Sequence, residues 1–156
     1  MSRNSSGAIS GGLAAIGLCL LGGCSGADET PTQPAIELGA LGAPDIERYE
    51  IYGTVCGFRE GGGSIRALAL IQPEQAWLKF EGETISLPVQ EGAGEGPLGI
   101  GMRYGNAAAM LALSPSGKPK ASGGGRSETE TGFTLRTADG AVLELTGILQ
   151  CSAGSV

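Results

Sequence analysis

Two runs of strict alternation flank one glycine. Ala76, Leu78 and Phe80 alternate with Trp77, Lys79 and Glu81. After Gly82, Ile85, Leu87 and Val89 alternate with Thr84, Ser86 and Pro88. A period of two sends successive side chains to opposite faces, so the pattern predicts an antiparallel hairpin with one face in the core. Pro88 lacks an N–H and falls in the outward set, which marks an edge or a strand end. A second hairpin is predicted around the turn signal Asp139-Gly140, with strands over 133–138 and 141–151. Its last strand places Leu143, Leu145, Leu149 and Cys151 on one face.

The other segments carry weaker signals. Tyr49–Cys56 is rich in β-branched and aromatic residues and reads as a strand, followed by a glycine-rich hairpin loop at Gly57–Gly63. Ser64–Ile71 is apolar nearly throughout and fits either a strand buried on both faces or a helix. Gln72–Gln75 is a turn, Gln90–Gly99 a glycine-rich acidic loop, and Ala107–Leu113 a strand or a helical turn. Ser114–Thr131 holds Pro115, Pro119, Gly123, Gly124 and Gly125 and reads as a long polar loop. With about seven or eight strands and no long amphipathic helix, the fold class is all-β: a small antiparallel β-barrel or sandwich over residues 48–152, with 153–156 as a tail.

Composition changes this picture in three ways. Against 29 glycines there are only three Phe, three Tyr and one Trp, so turns are many and the core is thin; a covalent staple would help it. There is no histidine, which excludes Ser-His and Cys-His nucleophiles and histidine-ligated zinc. The formal net charge of −6 opposes binding to nucleic acid or to an anionic membrane by charge, and suits a basic partner. No enzyme activity, cofactor or metal is expected. The segment Gly94-Glu95-Gly96-Pro97-Leu98-Gly99 matches the dinucleotide fingerprint in letters only. No helix follows it, and Glu95 would repel a pyrophosphate. Gly117-Lys118-Pro119 lacks the spacing and hydroxyl of a phosphate loop, and Glu81 and Glu83 read as solvated hairpin charges. Trp77, on the polar face of its strand, is either a ligand-stacking ring or a ring half buried under a loop.

The N-terminus has a different character. Arg3, a Gly/Ala/Leu-rich apolar run from Ala8 to Leu21, and small residues after it are the three parts of a secretory signal peptide, residues 1–23. The run is about 14 residues, short of the roughly 20 that span a bilayer. Its end, Leu21-Gly22-Gly23-Cys24, resembles the lipobox of bacterial lipoproteins. The resemblance implies that Cys24 is lipidated and becomes the mature N-terminus, anchoring the protein to a membrane. Ser25 after it resembles the outer-membrane sorting class, which implies an anchor in the outer membrane with the domain facing the periplasm or the cell surface. Losing Arg3 takes the net charge from −6 to −7. Residues 24–47, with Pro31, Pro34, Pro44 and five acidic side chains, are expected to form an extended tether; a turn of helix around Ile36–Leu41 is weakened by Gly39 and Gly42. With Cys19 removed and Cys24 lipidated, Cys56 and Cys151 remain. In an exported chain they read as a disulfide, the alternative being two reduced buried thiols.

A cysteine closing the first strand, the hairpin at Ala76–Leu87, the run Gly101-Met102-Arg103-Tyr104 and a terminal cysteine come in an order that resembles the membrane-bound inhibitors of C-type lysozyme. That resemblance implies a β-barrel lipoprotein whose loop before the arginine–tyrosine pair enters the lysozyme cleft. In that family a serine of the loop and a lysine of the following turn meet the catalytic carboxylates. Here Gly101, Arg103 and Tyr104 match, Ile100 stands at the serine position, Ser116 at the lysine position, and Lys118 lies close by. Without the family, Arg103 and Tyr104 read as a strand-end arginine packed on an aromatic ring. A second resemblance, carried by Tyr52–Val55, Arg66–Ile71 and Glu81–Ile85, is to the small periplasmic β-domains of secretion and pilus assembly proteins, which dock on a protein ring. Either way the expected function is a lipid-anchored, non-catalytic binding domain with a protein partner.

Overall fold

The computed structural model describes residues 35–53, 55–61 and 64–152. The expected signal peptide over 1–23, the expected lipidation site Cys24, residues 24–34 of the expected tether and the tail 153–156 lie outside the described residues. The chain is built from antiparallel strands, as expected. In order they are β1 (Leu38–Gly39), β2 (Val55–Glu60), β3 (Ala69–Ile71), β4 (Gln75–Phe80), β5 (Glu83–Pro88), β6 (Arg103–Gly105), β7 (Ala109–Gly123), β8 (Arg126–Thr137) and β9 (Val142–Ser152). Among the described residues one short helix, α1 (Ala43–Arg48), precedes β2. Among the described residues no helix is long and apolar enough to cross a membrane.

The strands form one sheet in the order β1-β4-β3-β2-β9-β8-β7-β6, with β5 on the other edge of β4. β1 and β3 share an edge of β4: β3 pairs with Ala76–Leu78 and β1 with Lys79 and Phe80. The sheet curls into a half-barrel. Its outermost strands, β5 and β6, approach through a single bridge between Val89 and Tyr104. Side chains on the concave face fill the core, among them Phe58, Ile71, Leu78, Leu87, Leu111, Phe133, Leu135 and Leu149. Phe58 and Phe133 stack with ring centroids 4.7 Å apart.

The two strongest hairpins stand where the alternation puts them. Ala76, Leu78 and Leu87 are fully buried, while Lys79 and Thr84 face each other across the outer surface. β8 and β9 pair from Arg126↔Ser152 to Arg136↔Val142. Cys56 and Cys151 are direct cross-strand partners on β2 and β9, with Cα atoms 4.0 Å apart, and they form a disulfide.

Four expectations are corrected. The strand expected over Tyr49–Cys56 begins only at Val55 and runs on through Gly57–Glu60, the first part of the segment assigned to a loop, where Phe58 supplies an inward residue. In Ser64–Ile71 only Ala69–Ile71 is strand. Ser114–Thr131 is not a loop: β7 and β8 continue as a hairpin arm to a turn at Gly124-Gly125. From Ser114 to Gly123 every residue of β7 is exposed, and the arm carries a bulge at Gly117–Pro119, where Gly117 takes φ +88°. Prolines, lysines and a bulge are the devices that blunt an exposed edge strand, which is why the segment has a loop's composition.

The fourth correction concerns the tether. Residues 35–47 are folded as a strap over the convex face of β3 and β4. β1 pairs with β4, Leu41 bridges to Ala67, and the helix lies at Ala43–Arg48, not at Ile36–Leu41. The strap makes a second, small apolar cluster in which Leu41, Ile51 and Leu70 are buried and Ile46, Tyr49, Ala67 and Trp77 pack around them. Trp77 is therefore half buried under a covering segment, with its ring 5.4 Å from that of Tyr49 and Nε1–H donating to Gln72 Oε1 at 3.2 Å. Asp45 fastens the strap. Its carboxylate accepts from the Gly42 N–H (2.9 Å), the Lys79 ammonium (3.4 Å) and the Thr84 hydroxyl (3.2 Å).

Candidate binding loop

The segment between β5 and β6 is the most elaborately built loop of the molecule. It folds back on itself as a miniature hairpin, with Glu95 bridged to Gly101. The Met102 N–H donates to Gly94 O, the Gly96 N–H to Ile100 O, and the Gln90 N–H to Arg103 O. Its apex is a 3-10 turn at Pro97–Gly99, in which Leu98 takes the left-handed conformation (φ 55°, ψ 29°) and is 49% exposed. A leucine held there stores of order 1 kcal/mol of strain, which the surrounding bonds must hold in place.

What holds it is Tyr104. The ring is fully buried, its hydroxyl donates to Gln72 O at 2.8 Å, and the same oxygen accepts from the Gly101 N–H at 2.8 Å. One phenol thus ties the β3–β4 turn to the base of the loop. Burial pushes this phenol up to about 12, with the Gly101 N–H pulling the other way. Gly101 has no room for a side chain, since a Cβ would come within 2.5 Å of Val89 Cγ2. Gly96 is likewise covered by the Met102 side chain.

The residues predicted as a binding site therefore separate. Gly101 and Tyr104 are brought into contact, but both are buried, so they support the surface instead of lining it. Arg103 is exposed and donates to Gly92 O at 2.6 Å. It does not pack on the Tyr104 ring, because adjacent strand residues point to opposite faces. Lys118 is exposed on the bulge of β7 and touches none of the three. It does lie along the same flank, because the Leu113 N–H donates to Met102 O and Lys118 follows five residues later on that strand. Ile100, at the serine position of the lysozyme inhibitors, is fully buried and offers no donor. Ser116, at the lysine position, is exposed and donates to Glu130 O.

Sequence reasoning missed Leu98, the exposed apex. The signal was Pro97-Leu98-Gly99 within a glycine-rich loop, an apolar side chain where turn residues prevail. Val89 and Tyr52, 39% and 63% exposed, belong to the same end of the half-barrel: the Val89 N–H donates to Glu74 O and Tyr52 O accepts from Gln72 Nε2. Glu74, Glu91 and Glu95 are exposed around them. Among the described residues no group of His, Cys, Asp or Glu is arranged to hold a metal ion. No protein-family model, curated protein or solved structure matches this chain.

Proposed function

We propose that the protein is an exported lipoprotein, anchored through Cys24, whose half-barrel binds a protein partner without catalysis through the loop Gln90–Tyr104. The observation that carries this reading is the apex. A strained, half-exposed Leu98 sits on a loop pre-organised by the Tyr104 hydroxyl, and pre-organisation reduces the entropy lost on binding. The buried Cys56–Cys151 disulfide supports export, since such bonds persist in oxidising compartments.

Of the two partner classes that the resemblances imply, a C-type lysozyme is favoured by Lys118, an exposed cation on the flank of the loop and suited to a carboxylate-lined cleft. With Ile100 buried, one of the two polar contacts of the inhibitor family is missing. A hydrogen bond to a charged group contributes about 1.5–3 kcal/mol, so the complex is weakened by roughly one to two powers of ten. Titrating the mature protein into a C-type lysozyme assay tests this. Saturable inhibition that Lys118→Ala weakens supports the reading; no inhibition by the native protein rejects lysozyme as the target. The anchor is tested separately by labelling with radioactive palmitate, which the Cys24→Ser variant should fail to incorporate.

A further inference from the structure

One thioether clasps the two limbs of the loop between β5 and β6. The limbs are joined by the Met102 N–H donating to Gly94 O and the Gly96 N–H donating to Ile100 O. The Met102 side chain crosses from its own limb to the other. A Cβ on Gly96 would overlap Met102 Cε and lie 3.1 Å from its Sδ, and a Cβ on Gly94 would lie 3.9 Å from its Cγ. Gly96 has an ordinary extended backbone (φ −110°, ψ −165°), so glycine is needed there for space and not for conformation. The sulfur end of Met102 takes the place of the missing side chain. Met102 also packs against the main core, and its carbonyl accepts from the Leu113 N–H, so the clasp is fixed to β7. The residue is only partly buried, which leaves it within reach of a molecule as small as hydrogen peroxide.

We infer that Met102 is an oxidation site that switches the loop, with hydrogen peroxide or another hydroperoxide as the co-reactant. The inference rests on the binding role proposed above only for what the switch controls. A lone pair on Sδ attacks one peroxide oxygen, the O–O bond breaks and an S–O bond forms. The departing hydroxide takes the proton of the transferred oxygen and leaves as water. Sulfur loses two electrons and the peroxide gains them, and the product is methionine sulfoxide. A thioether is apolar and flexible and fits against a bare glycine; a sulfoxide is polar, chiral and larger at the atom that lies over Gly96. Burying its oxygen unpaired in that contact is costly, so the oxidised end turns to water and uncovers Gly96. The bonds between the limbs lose their cover, and the left-handed turn at Leu98 that they hold relaxes. Met110 supplies the contrast. It is 49% exposed on β7, where a sulfoxide oxygen points into solvent. The switch is reversible, because methionine sulfoxide reductases restore the thioether.

The test treats the mature protein with hydrogen peroxide, locates sulfoxide by peptide mass spectrometry and follows backbone amide exchange by NMR. With Met102 oxidised, the Gly96 and Met102 amides are expected to exchange faster by about tenfold or more, with Leu111 and Leu135 in the sheet unchanged. Met110→Leu is expected to respond to peroxide as the native protein does, and Met102→Leu to show no change between treated and untreated samples. Sulfoxide at 110 with none at 102, unchanged exchange once Met102 is oxidised, or a peroxide-opened loop in Met102→Leu each overturns the inference. None of these readouts needs a partner. Native protein that inhibits no C-type lysozyme therefore rejects the lysozyme reading while the exchange result still decides the switch. Equal inhibition by the native and the Met102-oxidised protein overturns the switch.

Discussion

Two buried hydroxyls at the residue scale make opposite predictions. The Tyr104 hydroxyl makes two hydrogen bonds, to Gln72 O and from the Gly101 N–H. Thr129 Oγ1, facing inward beside the bulge of β7, is buried without a partner among the described residues. Tyr104→Phe leaves a carbonyl and an N–H unpaired and is expected to lower unfolding free energy by about 1–3 kcal/mol; Thr129→Val removes an unsatisfied group of the same shape and is expected to be neutral or stabilising by up to about 1 kcal/mol. Urea unfolding of both variants checks the pair. Tyr104 also has a pH signature. Its folded value of about 12 lies above the ordinary 10.0, so its contribution is complete below pH 10 and is lost as pH rises through 12. The Gly101–Tyr104 motif was visible in the sequence, but its role was not. A string of letters does not say that Gly101 is glycine because Val89 lies against it, nor that the tyrosine points inward.

Elements were legible in proportion to how one-sided their environment is. The hairpins over 76–89 and 133–151 have one face in the core, so their alternation is written into the chain. The β7–β8 arm was unreadable because its outer strand is exposed on every residue from Ser114 to Gly123, leaving no apolar set to alternate. The strap was unreadable for the reverse reason: Ile36, Leu38, Leu41 and Ile46 are spread among prolines and acids, and they find partners only in three dimensions, Ile36 and Leu38 against the main core and Leu41 and Ile46 in the small cluster with Leu70 and Trp77. The strap's fastening carries a prediction of its own. The Gly42 N–H foremost, then the Lys79 ammonium and the Thr84 hydroxyl, hold the Asp45 carboxyl below the usual 3.8 against the opposing effect of desolvation. A depressed folded value means stability that is present above pH 3.8 and lost as pH falls through the lower folded value. Acidification below about pH 4 is therefore expected to red-shift Trp77 emission by exposing the ring, and Asp45→Asn to shift emission in the same direction at neutral pH.

The whole molecule is a thin core closed covalently. Cys56 and Cys151 lie 95 positions apart, and their bond joins the first long strand to the last. The chain-entropy model gives about 4–5 kcal/mol for closing a loop of that length. Reducing the bond, or replacing both cysteines by alanine, is expected to lower unfolding free energy by about that amount, read by urea titration with and without reductant. Both sulfurs are in the core, so reduction by added thiol is expected to be slow until denaturant opens the fold. The pairing was legible, since assigning Cys19 to an expected signal peptide and Cys24 to an expected lipid anchor left one even pair. The surface that binds was not, since one-sided strands announce a core while an exposed apex announces itself only in three dimensions. Leu98 is the proposed contact. Isothermal titration of the mature protein against a C-type lysozyme, for the native chain and for Leu98→Asp, tests it most directly. The account predicts a saturable complex for the native protein and its loss in Leu98→Asp, with the same unfolding midpoint for both. No complex for the native protein, or equal affinity for the two, contradicts it.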